Sequence, residues 1–144
     1  MRITFVLPIV SMSGGIKVVA IYAKYLAEKG YDVFLVSPPP AEKPLRTKIK
    51  GFLLGRGWPR VESPQSHLDG LGLNHQILSK YRQITDADVP DADVVVATWW
   101  ETAEWVAQLS PAKGAKSYFI QGYEIFDFLP IARCKATYRL PLHK

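Results

Sequence analysis

The sequence predicts an α/β fold built on a mainly parallel sheet. Three observations carry that expectation. Short β-branched runs, Val33-Phe-Leu-Val36 and the Val94-Val-Val-Ala97 centre of Asp93 to Thr98, are apolar throughout, as strands covered on both faces must be. Ile16 to Lys29 repeats apolar residues at helical spacing. Strand-like and helix-like stretches then alternate along the chain, the pattern of parallel strands joined by helical crossovers.

Taken in order, Arg2-Ile-Thr-Phe-Val-Leu7 reads as the first buried strand, and Ser11-Met-Ser-Gly-Gly15 as a turn in which two glycines permit a tight backbone. The helix that follows places Ile16, Val19, Ala20, Ala23, Leu26 and Ala27 on one face and leaves Lys17, Lys24 and Glu28 outside. Gly30 is placed to stop it as the residue beyond the C-cap. Val33 to Val36 is the second strand, and Ser37-Pro-Pro-Pro40 ends it, because proline cannot continue a central strand.

From Ala41 to about Asn74 the periodicity weakens, and an insertion is expected there. Its first part, Lys43 to Arg60, carries Lys43, Arg46, Lys48, Lys50, Arg56 and Arg60 with no acid among them. Leu45, Ile49 and Phe52 in that stretch have the spacing of a short amphipathic helix. Two fates fit its composition: a patch for an anionic membrane surface, or a solvated insertion packed back onto the domain. His75 to Leu78 is a third short strand, and Asp93 to Thr98 a fourth. Thr98-Trp-Trp-Glu101 has capping-box spacing and opens a helix running to about Leu109, closed by Ser110-Pro111 and Gly114. Ala115 to Gln121 is the next strand, and Ile131 to Leu140 a last helix.

The chain has 144 residues, 48% hydrophobic and 22% charged, an ordinary globular composition for about one domain. Its formal charge of +5 biases it toward anionic partners. No helix-turn-helix or ribonucleoprotein pattern is present, so nucleic acid is not among the expected partners. Cys134 is the sole cysteine, which precludes an intrachain disulfide and suits a reducing compartment. There is no run of about 18 apolar residues, and the N-terminus lacks a signal-peptide pattern.

Ligands of open parallel sheets bind beyond the carboxyl ends of the strands, which places Ser11 to Gly15, Ser37, Thr98 to Glu101 and Gln121 to Glu124 around one crevice. The substrate-binding candidates are Ser13, Gly14, Gly15, Thr98, Trp99, Gln121, Gly122 and Tyr123. The unpaired amides of a helix N-terminus suit a phosphate or carboxylate, although the two glycines could equally serve close strand–helix packing. Glu101 and Glu124 are the catalytic candidates, with a capping role open for Glu101 and a solvated loop acid for Glu124. Of Trp99 and Trp100, neighbours at a helix start, one must face the crevice. His67, His75 and His143 lack ligand spacing, so no metal site is expected. No Gly-x-Ser-x-Gly elbow, P-loop or complete dinucleotide fingerprint occurs, and Ser37 stands where a ribose-binding acid would be needed.

The opening residues carry a resemblance. Leu7-Pro8 through Ser13-Gly-Gly-Ile-Lys-Val-Val19, Tyr22 through Val33, and Val36-Ser-Pro38 resemble the N-terminal Rossmann-like domain of GT-B glycosyltransferases, and among them the large retaining family four. Asp91 through Trp100 and Tyr118-Phe-Ile-Gln-Gly-Tyr-Glu124 are similar to the matching strands of a rhamnosyltransferase-like subgroup. The resemblance implies a Rossmann-like three-layer sandwich forming the N-terminal, acceptor-side half of a GT-B fold. It implies that residues 1–144 are a truncated single domain with a basic insertion at about 41–74, lacking the C-terminal donor domain. The donor would be a nucleotide-diphosphate sugar with no further cofactor, its diphosphate approached by Gly14, Gly15 and Ser13. A hexosyl group, rhamnosyl among the candidates, would pass to a glycan or lipid-linked acceptor in cell-surface polysaccharide synthesis. The implied location is cytoplasmic, peripheral at the inner face of the membrane, with contact through Lys43 to Arg60. Many members place a histidine after a later strand where this chain offers Gln121-Gly-Tyr-Glu124, so no catalytic residue carries over. Two alternatives stand beside this expectation: an NAD(P)- or nucleotide-sugar-dependent oxidoreductase or epimerase, and a non-catalytic module binding an anion or lipid.

Overall fold

The structure, a computed structural model, describes residues 1–40 and 65–144. The strands are β1 (Arg2–Val6), β2 (Asp32–Ser37), β3 (Asn74–Ile77), β4 (Val94–Ala97) and β5 (Ala115–Tyr118), and the helices are α1 (Gly14–Glu28), α2 (Trp100–Gln108) and α3 (Ile131–Thr137). All five strands pair in parallel in the order β3-β2-β1-β4-β5. The expected α/β class holds, and the sheet is parallel throughout rather than mainly so. The basic run Lys43 to Arg60 and the amphipathic pattern of Leu45, Ile49 and Phe52 lie outside the described residues.

Side-chain alternation along the strands feeds two cores, one on each face. Ile3, Phe5, Val33 and Leu35 join Ile16, Val19, Ala20 and Ala23 of α1 on one face, where Leu68 of the turn before β3 also packs. Val6, Val36, Val95 and Ala97 meet Ala103, Trp105 and Val106 of α2 on the other, with Tyr118 and Leu142. Double coverage is the reason these strands read as unbroken apolar runs. The last helix closes at Thr137, three residues before the expected Leu140, and Arg139 and Leu140 instead form tight turns back to Ala136 and Thr137.

Gly30 ends α1 as the spacing predicts. It has φ +85°, its N–H donates to Ala27 O, and the N–H of Tyr31 donates to Leu26 O, the paired bonds of a Schellman cap. The start of α2 departs from expectation. Trp99, not Thr98, is its N-cap, and Thr98 Oγ1 donates to Val6 O at 3.1 Å instead of capping. Thr102 takes over the reach-back: its Oγ1 accepts from the N–H groups of Thr98 and Trp99, each at 3.0 Å, and donates to Trp99 O. Glu101 is thereby released from the capping role.

Polar fastenings concentrate at the amino ends of the strands. Arg2 donates from its backbone to Asp93 at 2.6 Å and from its guanidinium to Asp32 and to Asp91 O, joining the starts of β1, β2 and β4. Ahead of β4, buried Asp88 accepts a bidentate pair from Arg82 at 2.6 Å each and two further bonds from Thr85. Chiefly because of the Arg82 guanidinium, its carboxyl is held down at about 2. A depressed carboxyl contributes stability that is present above its unfolded pKa near 3.8 and is lost as pH falls through about 2. Asp88→Asn is accordingly expected to lose about 2 kcal/mol in urea unfolding at neutral pH, a difference that shrinks toward zero near about pH 2.

Candidate functional site

Strand order reverses between β1 and β4, because β1 connects through α1 to β2 on one side while β4 lies on the other. Open α/β sheets place ligands at such a switch point. A crevice of about 420 Å³ opens there, lined by Pro8, Ile9, Ser13, Gly15 and Ile16 after β1, Thr98, Trp99 and Glu101 after β4, Gln121 and Glu124 after β5, and Tyr81 after β3. That volume falls within the usual range for a small-molecule site, ~300–1,000 Å³.

On the β1 side, Gly14 and Gly15 are the first two residues of α1 and neither has positive φ. The expected tight glycine turn is therefore an ordinary first helical turn. Ser13 caps it, its hydroxyl accepting from the N–H of Ile16 at 3.5 Å. Among the described residues, no hydrogen bond takes up the amides of Gly14 or Gly15. A Cβ at position 15 would stand 3.5 Å from the Gln121 amide, an ordinary contact, which places the start of α1 directly across from Gln121. The turn also touches the end of the insertion, where His67 Nε2 bonds Met12 O at 3.2 Å.

On the β4 side, Trp99 faces the crevice while Trp100 turns inward and is buried, as expected for neighbours at a helix start. The guanidinium of Arg133 on α3 lies 5.1 Å from the Trp100 ring centroid and pairs with Glu104, which clamps α3 to α2. Glu101 accepts from Tyr81 Oη at 2.7 Å. Burial, followed by this bond, raises the Tyr81 phenol to about 12 and keeps it a donor.

Glu124 is not a solvated loop acid. It is 7% exposed, and its Oε2 accepts from the N–H of Trp100, the first residue of α2, at 3.2 Å and from Tyr118 Oη at 3.4 Å. Tyr138 secures the loop from below, accepting from the N–H of Glu124 at 2.9 Å and donating to Gly122 O at 3.2 Å. Desolvation raises the carboxyl from 4.5 to about 7, against the smaller lowering by the Trp100 amide and the Tyr118 hydroxyl. Tyr118 is pushed well above an ordinary phenol, chiefly by burial.

Of the remaining expected site residues, Gly14, Gly122 and Tyr123 do not line the crevice, and Tyr123 stacks on Tyr138 at 5.5 Å instead. Ser37 also lies apart from it: fully buried, it meets His75 Nε2 at 2.9 Å. Desolvation lowers the His75 pKa, and this neutral pair ties β2 to β3. Pro8, Ile9, Ile16 and Tyr81 line the crevice outside the expected set, and of these Tyr81 is the one with a polar side chain. Its signal was weak, a lone aromatic in a polar stretch twenty residues from its partner.

Cys134 is buried, and burial raises its pKa, so its thiol is poorly suited to nucleophilic attack. Among the described residues no group of three potential ligands could hold a metal ion. No helix among them is long and apolar enough to cross a membrane. Comparisons with family models, curated proteins and solved structures find no match to this chain.

Proposed function

We propose that this chain forms the N-terminal, acceptor-side part of a nucleotide-sugar-dependent glycosyltransferase of the GT-B kind, transferring a hexosyl group to a glycan or lipid-linked acceptor. One observation carries the proposal: a switch-point crevice lined at the start of α1 by Gly15, which follows Gly14 in the same first turn, the amides of both taking no hydrogen bond among the described residues. A diphosphate approached by those amides meets fixed N–H dipoles without a metal ion. The resemblance of Leu7 to Val33 and Tyr118 to Glu124 supplies the reaction class. In such a transfer the acceptor hydroxyl oxygen bonds to the anomeric carbon, the bond from that carbon to the diphosphate oxygen breaks with its electron pair leaving on phosphate, and the hydroxyl proton passes to the departing diphosphate. What this chain contributes is positioning of the reactants and hydrogen bonds to them. Membrane contact through Lys43 to Arg60 and a location at the inner membrane face belong to the same proposal.

The oxidoreductase alternative gains no support at the end of β2, where the ribose-binding acid is replaced by Ser37, occupied by His75. Amide-resolved NMR titration of the chain with UDP, GDP and NADH tests the proposal. A nucleoside diphosphate is expected to move Gly14 and Gly15 with a dissociation constant on the order of 1 mM, about −4 kcal/mol. Tight NADH binding, or silence at both glycines with every nucleotide, overturns it.

A further inference from the structure

The crevice is lined by two carboxyl groups, an amide, three hydroxyls and two aromatic rings, and no lysine, arginine or histidine among the described residues joins them. Diphosphate is a poor tenant for the Glu101 and Glu124 side of such a space, because it would meet like charge with no cation between. What that side lacks is hydrogen-bond donors for its acceptors.

Glu124 is the informative member. Capping α2 occupies only Oε2, and a neutral amide or hydroxyl could accept from the Trp100 amide without the cost of burying a carboxyl. Both side-chain bonds fall on Oε2, and among the described residues Oε1 has no hydrogen-bond partner; it is not one of the buried unpartnered atoms, which are Thr4 Oγ1 and Trp100 Nε1, and it belongs to a residue that lines the crevice. Beside it, Gln121 Nε2 makes only a 3.5 Å contact with Thr98 O, so its donor capacity is largely unspent. Trp99 adds an indole to the same wall. A carboxyl, an amide and an aromatic ring form the chemistry that holds vicinal hydroxyls on a ring whose C–H face lies against the indole.

We infer that Glu124 is a ligand-contacting residue: its Oε1 bonds a hydroxyl of a neutral, polyhydroxylated ring seated between Gln121 and Trp99, while Oε2 stays fixed on α2. The inference deepens the glycosyltransferase proposal and rests on it for the identity of that ring as a sugar. A pKa raised to about 7 suits the role, since the carboxyl can then both accept from and donate to a hydroxyl near neutrality. A cationic amine would call for a fully charged carboxylate.

The test is an NMR titration of the chain with methyl α-L-rhamnopyranoside and methyl α-D-mannopyranoside, with ethanolamine and UDP as separate arms. A saccharide is expected to shift the Trp99 indole N–H, the Gln121 side-chain amide and the Trp100 backbone amide. Glu124→Gln, which keeps an acceptor for Trp100, is expected to weaken saccharide binding about tenfold, or ~1.4 kcal/mol. Trp99→Ala should weaken it separately, with an unchanged spectrum elsewhere as the check on folding. Absence of saccharide shifts, wild-type affinity in Glu124→Gln, or shifts produced by ethanolamine alone overturn the inference. Saccharide binding with Gly14 and Gly15 unmoved by UDP sustains the Glu124 site and removes the glycosyltransferase proposal.

Discussion

Gly114→Ala is expected to destabilise the fold by ~4 kcal/mol or more, a loss reserved for substitutions that break a named structural constraint. Gly114 has φ +89°, and a Cβ there would lie 2.4 Å from the carbonyl carbon of Asp93, 2.5 Å from its oxygen and 2.6 Å from Ala92 O. All three obstacles are backbone atoms at the entry to β4, where the N–H of Ala115 donates to Asp93 O at 2.8 Å and Arg2 holds the Asp93 carboxylate. No side chain can swing aside, so β4 and β5 must part. Gly30→Ala is the control. It has φ +85° with nothing within 4 Å of a Cβ, and should cost only about 1 kcal/mol. Urea unfolding of both variants measures the difference, and equal losses would refute the clash.

Glu124→Gln is expected to move stability and binding in opposite directions. Native Glu124 has its pKa raised to about 7 from 4.5, chiefly by desolvation, so between those values the folded state holds a proton that the unfolded state has released. Its contribution is fully present below about pH 4.5 and is lost as pH rises through about 7. Glutamine removes that loss, and the variant should gain on the order of 2 kcal/mol near pH 8 and almost nothing near pH 4. The groups facing the carboxyl are Trp100 on α2 and Tyr118 on β5, with Cys134 of α3 beyond them, while Tyr138 bonds the Glu124 backbone N–H. None is a cation, so no partner loses its charge pair when the carboxylate is removed. A residue that weakens the fold where it stands yet tightens a ligand is expected of functional sites. Thermal unfolding across this pH range, paired with saccharide titration, reads both effects. A variant that is less stable near pH 8 would show Glu124 to be a helix cap and nothing more.

The strands were legible because burial on both faces forces an apolar run whatever the neighbours. Gly30 was legible because a positive-φ helix stop admits few other residues. The site was legible as a location, since strand ends in a parallel sheet define it, but less so as chemistry. Thr102 looks like any buried threonine until the helix begins at Trp100 and brings its hydroxyl under two amides. Ser37 and His75 are 38 positions apart, and only the β2–β3 register joins them. Burial of Glu124 depends on Tyr138 folding back beneath its loop, a contact that no local pattern encodes. Val18, Ile21, Tyr22 and Tyr25 give α1 a second apolar stripe, exposed to solvent, beside the core face that the helical spacing picks out.

Helices α1 and α2 reach the crevice from opposite faces of the sheet, and only one of them arrives with a carboxyl already set against its first amide. The partial positive charge at the start of α2 is met by the Glu124 carboxyl, whereas that at the start of α1 meets only the neutral hydroxyl of Ser13. The gap between them is therefore a short electric axis rather than a uniform well. A ligand with one anionic end and one uncharged end has a head and a tail in this field, and the two ways of lying along the axis differ in energy before any shape is matched. Entry in one direction is built into the crossing of the chain from one face to the other.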